Sequence, residues 1–388
     1  METKRTLVRI TTVAISLEKL LSGQLRFMNS YYHVIGIAAE RKNLEKLAKS
    51  EGIDVFPLEM TRKMTPLQDL KTVFQLYSYF KKTKPFIVHT HTPKAGIVGM
   101  LASRLAGVPH RLHTVAGLPL LEATGTKRRI LNFVERLTYT CATKVYPNSK
   151  GLMEIIIQNR FCSKDKLTVL ANGSSNGIDT AHFSPEHFSI GQNLELKREL
   201  SIHEKDFVFI FVGRLVKDKG MNELISAFTR LQAENKHLKL LLVGDYEADL
   251  DPLSGQTLKE IKTHPAIIST GFKYDVRPYF AISDVLVFPS YREGFPNGVL
   301  QAGAMGLPCI VSDINGCNEI ISDTINGRII PVKNEQALYS AMRSIVENVE
   351  AREDMRNNAR RMIVSRYEQH VVWEAILEEY RKFDNPHQ

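Results

Sequence analysis

Two successive series of short, unbroken Val/Ile/Leu/Phe runs constrain this chain more than any other feature. The first series occupies residues 7–13, 33–38, 54–57, 86–89, 111–115, 144–147 and 167–170. The second occupies 207–212, 238–243, 267–270, 285–288, 309–311 and 328–330. Runs that are apolar throughout, rather than at alternate positions, indicate strands buried on both faces of a parallel sheet. Parallel strands need long crossovers, and amphipathic stretches such as 44–49, 67–80, 97–105 and 129–140 supply them. The fold class is therefore α/β, with two doubly wound Rossmann-like domains. A length of 388 residues agrees, since single cores rarely grow past ~250–300 residues. The expected boundaries are a first domain over 1–183, a linker over 184–198, a second domain over 199–368 and a terminal amphipathic helix over 369–388. The turn-rich run Asn172-Gly173-Ser174-Ser175-Asn176-Gly177 marks the hinge.

Charge is unevenly spread. Residues 1–190 carry a net +13 and residues 191–388 a net −4, within an overall +9. The first half is thus expected to meet something anionic: a polyphosphate substrate, a bilayer surface or nucleic acid. The basic residues are scattered over a sheet domain with no nucleic-acid reading module, so no nucleic-acid partner is expected. Arg9 breaks the N-terminal apolar run early, and no small-residue cleavage site follows, so residues 7–13 read as a core strand rather than a signal peptide. No segment approaches the ~18 apolar residues needed to span a bilayer. The expected location is cytoplasmic, peripheral on the inner face of the cytoplasmic membrane. Cys141, Cys162, Cys309 and Cys317 lack metal-ligand spacing and read as thiols of a reducing compartment.

Doubly wound sheets bind ligands outside the carboxyl ends of their strands. After 285–288 comes Pro289-Ser290-Tyr291-Arg292-Glu293-Gly294-Phe295-Pro296, with a helix expected from Asn297. A helix N-terminus offers unpaired amides to a phosphate, and Glu293 offers a carboxylate to hydroxyls beside it. Gln301, eight residues beyond Glu293, can reach the same place. After 207–212 comes Gly213-Arg214-Leu215-Val216-Lys217-Asp218-Lys219-Gly220, where Arg214 and Lys219 could clamp a diphosphate. No G-x-G-x-x-G and no Walker A loop occur, which excludes the commonest dinucleotide and nucleotide-triphosphate motifs. In the first half, His89 and His91 share one side of a strand, and Arg111-Leu112-His113 ends the next. One of the first two, His89 for preference, reads as a satisfied core histidine.

The Glu293–Gln301 stretch resembles the E-x7-E signature of family 4 retaining glycosyltransferases, which have the GT-B fold of two Rossmann-like domains facing a central cleft. Gln301 departs from it. Gly213–Gly220 resembles that family's Gly-Arg-Leu-x-x-x-Lys-Gly, and His89-Thr90-His91-Thr92-Pro93-Lys94-Ala95-Gly96 resembles a His-x-His-x-x-Lys-Ala-Gly of bacterial capsular polysaccharide and O-antigen enzymes. The resemblance runs along nearly the whole chain. It implies an N-terminal acceptor-binding domain, a C-terminal nucleotide-sugar-binding domain, and a terminal helix crossing back to the first.

It further implies catalytic roles for His113 and Glu293. Substrate contacts would come from Gly23, Gln24, His91, Lys94, Arg214, Lys219, Phe272, Phe295, Asn297, Gly298, Val299 and Gln301. The implied reaction moves a sugar from a nucleotide diphosphate-sugar, with a UDP-sugar expected, to a polyprenyl-diphosphate-linked glycan, without cofactor or metal. Asp249-x-Asp251 only superficially resembles the D-x-D of metal-dependent transferases. Two alternatives remain at this stage: a GT-B sugar-nucleotide 2-epimerase, and a non-catalytic glycosyltransferase-like subunit.

Overall fold

The structure, a computed structural model, describes residues 4–61, 65–118, 120, 123–247 and 251–384. Clustering of contacts divides it into two compact units, Met1–Gly177 with Gln369–Gln388, and Ile178–Glu368. In the first unit β1 (Thr6–Val13), β2 (His33–Ala39), β3 (Asp54–Pro57), β4 (Ile87–Thr90), β5 (His110–Val115) and β6 (Lys144–Pro147) form one parallel sheet in the order β3-β2-β1-β4-β5-β6. The second holds β7 (Phe207–Val212), β8 (Leu238–Val243), β9 (Ile267–Ser269), β10 (Val285–Phe288), β11 (Cys309–Ser312) and β12 (Gly327–Ile330), in the order β12-β11-β10-β7-β8-β9. Both sheets have the same winding. Each places its first strand beside its fourth, and the crevice outside the carboxyl ends at that switch point is where such sheets bind ligands.

The unbroken apolar runs behave as expected. Val208, Phe209, Ile210 and Phe211 of β7 and all of β10 are buried, because helices cover both sheet faces. Arg9 is the exception. It lies mid-strand in β1 and is 1% exposed, and its charge is solvated internally by the hydroxyl of Tyr380 at 2.6 Å and the side-chain carbonyl of Gln24. Tyr380 sits on the helix Gln369–Asp384, whose Val372, Ile376, Leu377 and Tyr380 pack in one cluster with Leu7, Leu17 and Leu25. Each such aliphatic side chain contributes about 1.5–3 kcal/mol on burial.

Two expectations are corrected. Residues 167–170 form no strand; Leu167 makes only an isolated bridge to Val145. The stretch 184–198 is not a linker but part of the second unit. It contains the turn Pro185–His187 and the helix Ile190–Glu199, started by a capping box between Ser189 and Gln192. Nearby, Arg360 ties the carbonyls of Thr180 and Phe183 to the long helix Val349–Tyr367. No residue of Ile190–Glu199 is buried, so the helix carries no apolar periodicity to read. The chain changes units at Gly177–Ile178 instead.

Candidate functional site

The second unit brings the Gly213–Gly220 and Pro289–Gly298 segments to the two sides of its switch point, at the ends of the adjacent strands β7 and β10. Lys219 closes a short 3-10 turn, Lys217–Lys219, and its ammonium forms an ion pair with Glu293. The two side chains are only 14% and 16% exposed. Ser290 donates to the same carboxylate oxygen, Oε1, at 2.9 Å. The second oxygen, Oε2, therefore has no protein donor among the described contacts and is open to a ligand.

The backbone around Glu293 is held at several points. Asn315 donates to the carbonyls of Glu293 and Gly294, Arg292 pairs with Asp218 at 2.8 Å, and the Tyr291 hydroxyl donates to Glu223 at 2.6 Å. Ser290 and Asn315 escaped the sequence reading. The first was hidden inside the motif, and the second lies in an Asn-Gly turn that reads only as punctuation.

The helix Asn297–Ala304 starts beside this carboxylate. Val299 donates its amide to Pro296 O at 3.2 Å, while the amides of Asn297 and Gly298 have no protein acceptor among the described residues. Gly298 lies where a Cβ would stand 3.4 Å from Val212 O, so the helix start fits closely against the end of β7. The half-buried Gln301 side chain also bonds no protein group among the described residues. Arg214 is at the same strand end, nearly half exposed and paired with Glu247. Phe272 is 60% exposed, its amide held by Asp245 at 2.9 Å. Phe295 and Val299 differ from the rest: both side chains are in the core, Phe295 against Tyr367, so only their backbone can face a ligand.

Asp249 lies outside the described residues. Asp251 accepts from the Asp218 amide at 2.6 Å and so shapes the Lys217–Lys219 turn. Among the described residues no group of three or more His, Cys, Asp or Glu could hold a metal ion.

In the first unit, β1 and β4 flank the switch point. His89 is a satisfied core histidine, bonded to the Tyr380 hydroxyl at 2.5 Å and to Thr114 at 2.8 Å. His91, 2% exposed, has its ring 4.3 Å from that of His89 and, among the described residues, no partner at either nitrogen. It borders a small polar cavity, also lined by Arg9, Asn148 and Ser175, with about 10 Å³ open to the centre of a water molecule. That is room for about one water. His113, 3% exposed, bonds Thr90 through Nδ1 at 2.8 Å, leaving Nε2 without a protein partner among the described residues. Its ring lies over Gly96, where a Cβ would stand 2.6 Å from Cε1, which is the physical reason for glycine there. Lys94 is paired with Asp69 at 2.5 Å. Gly23 has φ +74°, and Gln24 is fully buried with its side chain engaged within the protein.

Burial holds His89 and His91 well below the ordinary imidazole range, with Arg9 adding repulsion, and pushes His113 down to about 4. The unfolded chain binds protons at these sites near pH 6.5 and the folded chain does not, so their stability contribution is lost as pH falls from about 6.5 towards 4. Burial lifts Glu135 to about 7, and that group works the other way, losing its contribution as pH rises through the same window. His110 and His182 are lowered by burial as well and Asp284 is raised, so the lowered histidines outnumber the raised carboxyls and predict net acid destabilisation, with up to about 3 kcal/mol from His113 alone. Thermal midpoints measured between pH 7 and 4.5 should fall, and more steeply in the native chain than in His113→Gln. A flat profile would refute this.

These features define a glycosyltransferase of the GT-B class: two parallel sheets of doubly wound order, one carrying a cation-and-amide cradle beside a carboxylate. The "Glycosyl transferases group 1" family profile matches residues 192–362 and the "Glycosyl transferase 4-like domain" profile residues 33–173. The chain thus carries a group 1 and a 4-like glycosyltransferase domain, which together span most of its length. It is 29% identical over 377 residues to the capsular polysaccharide biosynthesis glycosyltransferase CapM of Staphylococcus aureus, covering 96% of each chain. It is also 29% identical to the UDP-Gal:alpha-D-GlcNAc-diphosphoundecaprenol alpha-1,3-galactosyltransferase of Escherichia coli, covering 93% of this chain and 94% of that one. Among solved structures, HepE of Anabaena in complex with UDP superimposes with a TM-score of 0.80 at 18% identity, over 98% of this chain and 100% of that one.

Proposed function

We propose that this enzyme retains anomeric configuration while moving a sugar from a UDP-sugar to a polyprenyl-diphosphate-linked glycan, in the assembly of a capsule, O-antigen or related surface polysaccharide. The observation that carries the donor half is the Lys219–Glu293 pair beside the unpaired amides of Asn297 and Gly298. The amides and Lys219 favour the diphosphate as charge grows on it, while Glu293 Oε2 accepts from sugar hydroxyls. Arg214, once released from Glu247, adds a second cation. Gln301 offers a carbonyl and an amide to the ribose hydroxyls. The acceptor hydroxyl attacks from the face that the diphosphate leaves, and the departing phosphate takes its proton. The resemblance gives His113 a catalytic role, for which Nε2 is available, and no metal is required. The acceptor class rests on the relatives, whose names include a diphosphoundecaprenol substrate.

The test is a panel of UDP-, GDP- and dTDP-sugars, read first as thermal stabilisation and then as transfer to a lipid-diphosphate acceptor. UDP-sugars should stabilise and yield a lengthened glycan. Release of an isomerised nucleotide sugar without acceptor would make the protein an epimerase, and binding without turnover would make it a non-catalytic subunit.

A lipid-linked acceptor calls for a membrane surface, and no helix among the described residues is long and apolar enough to cross a bilayer. The helix Pro66–Thr83 instead exposes Leu67, Leu70 and Phe74, at 87%, 67% and 67%. Their i, i+3, i+7 spacing makes one stripe, with Lys71, Lys81 and Lys82 also exposed on that helix. The helix Gly125–Cys141 exposes Ile130 and Phe133 with Lys127, Arg129 and Arg136. Phe80 and Tyr79, by contrast, face the core: Phe80 is 1% exposed and Tyr79 stacks on Phe56 at 4.1 Å. Binding to anionic vesicles should weaken with salt and fall on Leu70→Ser/Phe74→Ser. Removing Lys81 and Lys82 should cost about 2 kcal/mol. Equal binding to neutral and anionic vesicles would defeat the electrostatic part.

A further inference from the structure

The loop Ser22-Gly23-Gln24 is held by side chains from the two places where the chain changes units. Just before the first crossing, Asn176, 8% exposed, donates to Ser22 O at 3.0 Å and accepts from Gln24 Nε2 at 3.0 Å. Just after the second crossing, Gln369 donates to the same Ser22 O at 2.9 Å. Trp373, one helical turn on, donates its indole N–H to the Asn176 side-chain oxygen at 2.7 Å. Its ring lies so close to Gly23 that a Cβ there would stand 2.6 Å away. Gln24 also donates to Ser175 O at 3.1 Å and accepts from the buried Arg9. On the far side of each crossing, the Ile178 amide donates to Tyr367 O at 2.9 Å, so the two crossing segments are tied to one another in the second unit. One acceptor oxygen, that of Asn176, thus joins the loop, the first crossing and the terminal helix.

We propose that Gln24, Asn176 and Trp373 are positioning residues: they set the Ser22–Gln24 loop by the geometry of the two chain crossings, and so make its placement depend on donor binding in the second unit. The inference rests on the donor reading above, and goes beyond it in giving Gln24 a role that needs no substrate contact. Its chemistry is that of a part-buried polar network in which Asn176 and Gln24 bond through both ends of their side chains, which favours one arrangement that changes as a unit. A movement of either crossing must shift Asn176 or Gln369 and Trp373, and with them Ser22 and Gly23.

The chain has one tryptophan, which makes Trp373 its own reporter. UDP binding is measured by calorimetry and, in parallel, by Trp373 emission. In the native chain, saturating UDP should move the emission. In Asn176→Leu, which keeps the side-chain size and removes all its hydrogen bonds, UDP should bind within about 2-fold of native while the emission stays still. Transfer kcat should drop about 10-fold or more, as for a loop displaced from its working position. KM for the donor should change little, since the nucleotide groups lie in the other unit. Asn176→Asp keeps the acceptor oxygens for Trp373 and Gln24 and should recover part of the response. UDP that binds while native Trp373 is silent, or an Asn176→Leu chain that keeps native kcat, would overturn the positioning role and leave the donor reading standing. The native measurement needs no variant to fold. If neither UDP, GDP nor dTDP binds by calorimetry, the donor reading falls and this inference falls with it.

Discussion

Replacing Glu293 by Gln should lower kcat by roughly 10²-fold or more while leaving the fold intact. The substitution preserves shape, and Ser290 can still donate to the amide oxygen, so the loop pinned by Asn315, Arg292 and Tyr291 stays in place. What disappears is the negative charge opposite Lys219 and the charge-assisted acceptor at Oε2 that, in the proposed function, orders the sugar at the breaking bond. Lys219, only 14% exposed, is then left without its counter-ion. Gln301 supplies the contrast. In the proposed function its half-buried side chain needs only to accept and donate hydrogen bonds at the ribose, so Gln301→Glu should keep kcat within a few-fold, with donor affinity gaining at most about 1 kcal/mol. Steady-state transfer with both variants decides the matter. An unchanged kcat in Glu293→Gln would remove that residue from the reaction. Activity appearing only in Gln301→Glu would mean that the native chain is a decayed transferase.

The second large effect is expected at Gly220, between Lys219 and the helix Met221–Glu234. Its φ is +70°, and a Cβ would stand 2.1 Å from the carbonyl oxygen of Pro289. The left-handed backbone costs an ordinary residue about 1–2 kcal/mol, and the collision is with backbone that cannot swing aside. Gly220→Ala must therefore push apart the Lys219 turn and the Pro289–Glu293 loop, the two halves of the proposed donor cradle. The expected loss is roughly 3 kcal/mol or more, a fall of about 6–12 °C in the unfolding midpoint of the second unit. Activity should fall even where the protein stays folded. A variant with native midpoint and native turnover would show that the two segments need not touch.

Much of this was legible in the chain because parallel strands buried on both faces leave continuous apolar runs, and such runs are rare outside that setting. Twelve of the strands were read within a residue or two, and residues 167–170 were misread because an apolar run can also line a core without pairing. That the Gly213–Gly220 and Pro289–Gly298 segments lie together at strand ends was legible because glycine, lysine and a carboxylate there have a local chemical meaning. The partners that hold them were not. Asn315 acts on Glu293 from 22 residues away, and Asn176 acts on Ser22 from 154. Arg9 read only as an interruption of an apolar run; its partner Tyr380 is 371 residues distant. Phe295 and Val299 sit inside the motif but face the core, because a helix that presents amides at its tip must bury its other side. The helix Ile190–Glu199, which packs little more than Leu196 against the core, could be seen only through its cap.

The terminal helix makes synthesis of this chain unequal in time. Ile178–Glu368 is continuous and can fold as soon as it leaves the ribosome. The first unit emerges earlier but lacks Val372, Ile376, Leu377 and Tyr380 until Gln369–Asp384 has been made. At ordinary elongation rates of about 5–20 residues per second, that wait is on the order of 10–40 s. Throughout it, Arg9 and His89 have no Tyr380 hydroxyl and Leu7, Leu17 and Leu25 lack the part of their cluster that the terminal helix supplies. The nascent first unit is thus a client for whatever shields apolar surface on the ribosome, and the unit made first is the one finished last.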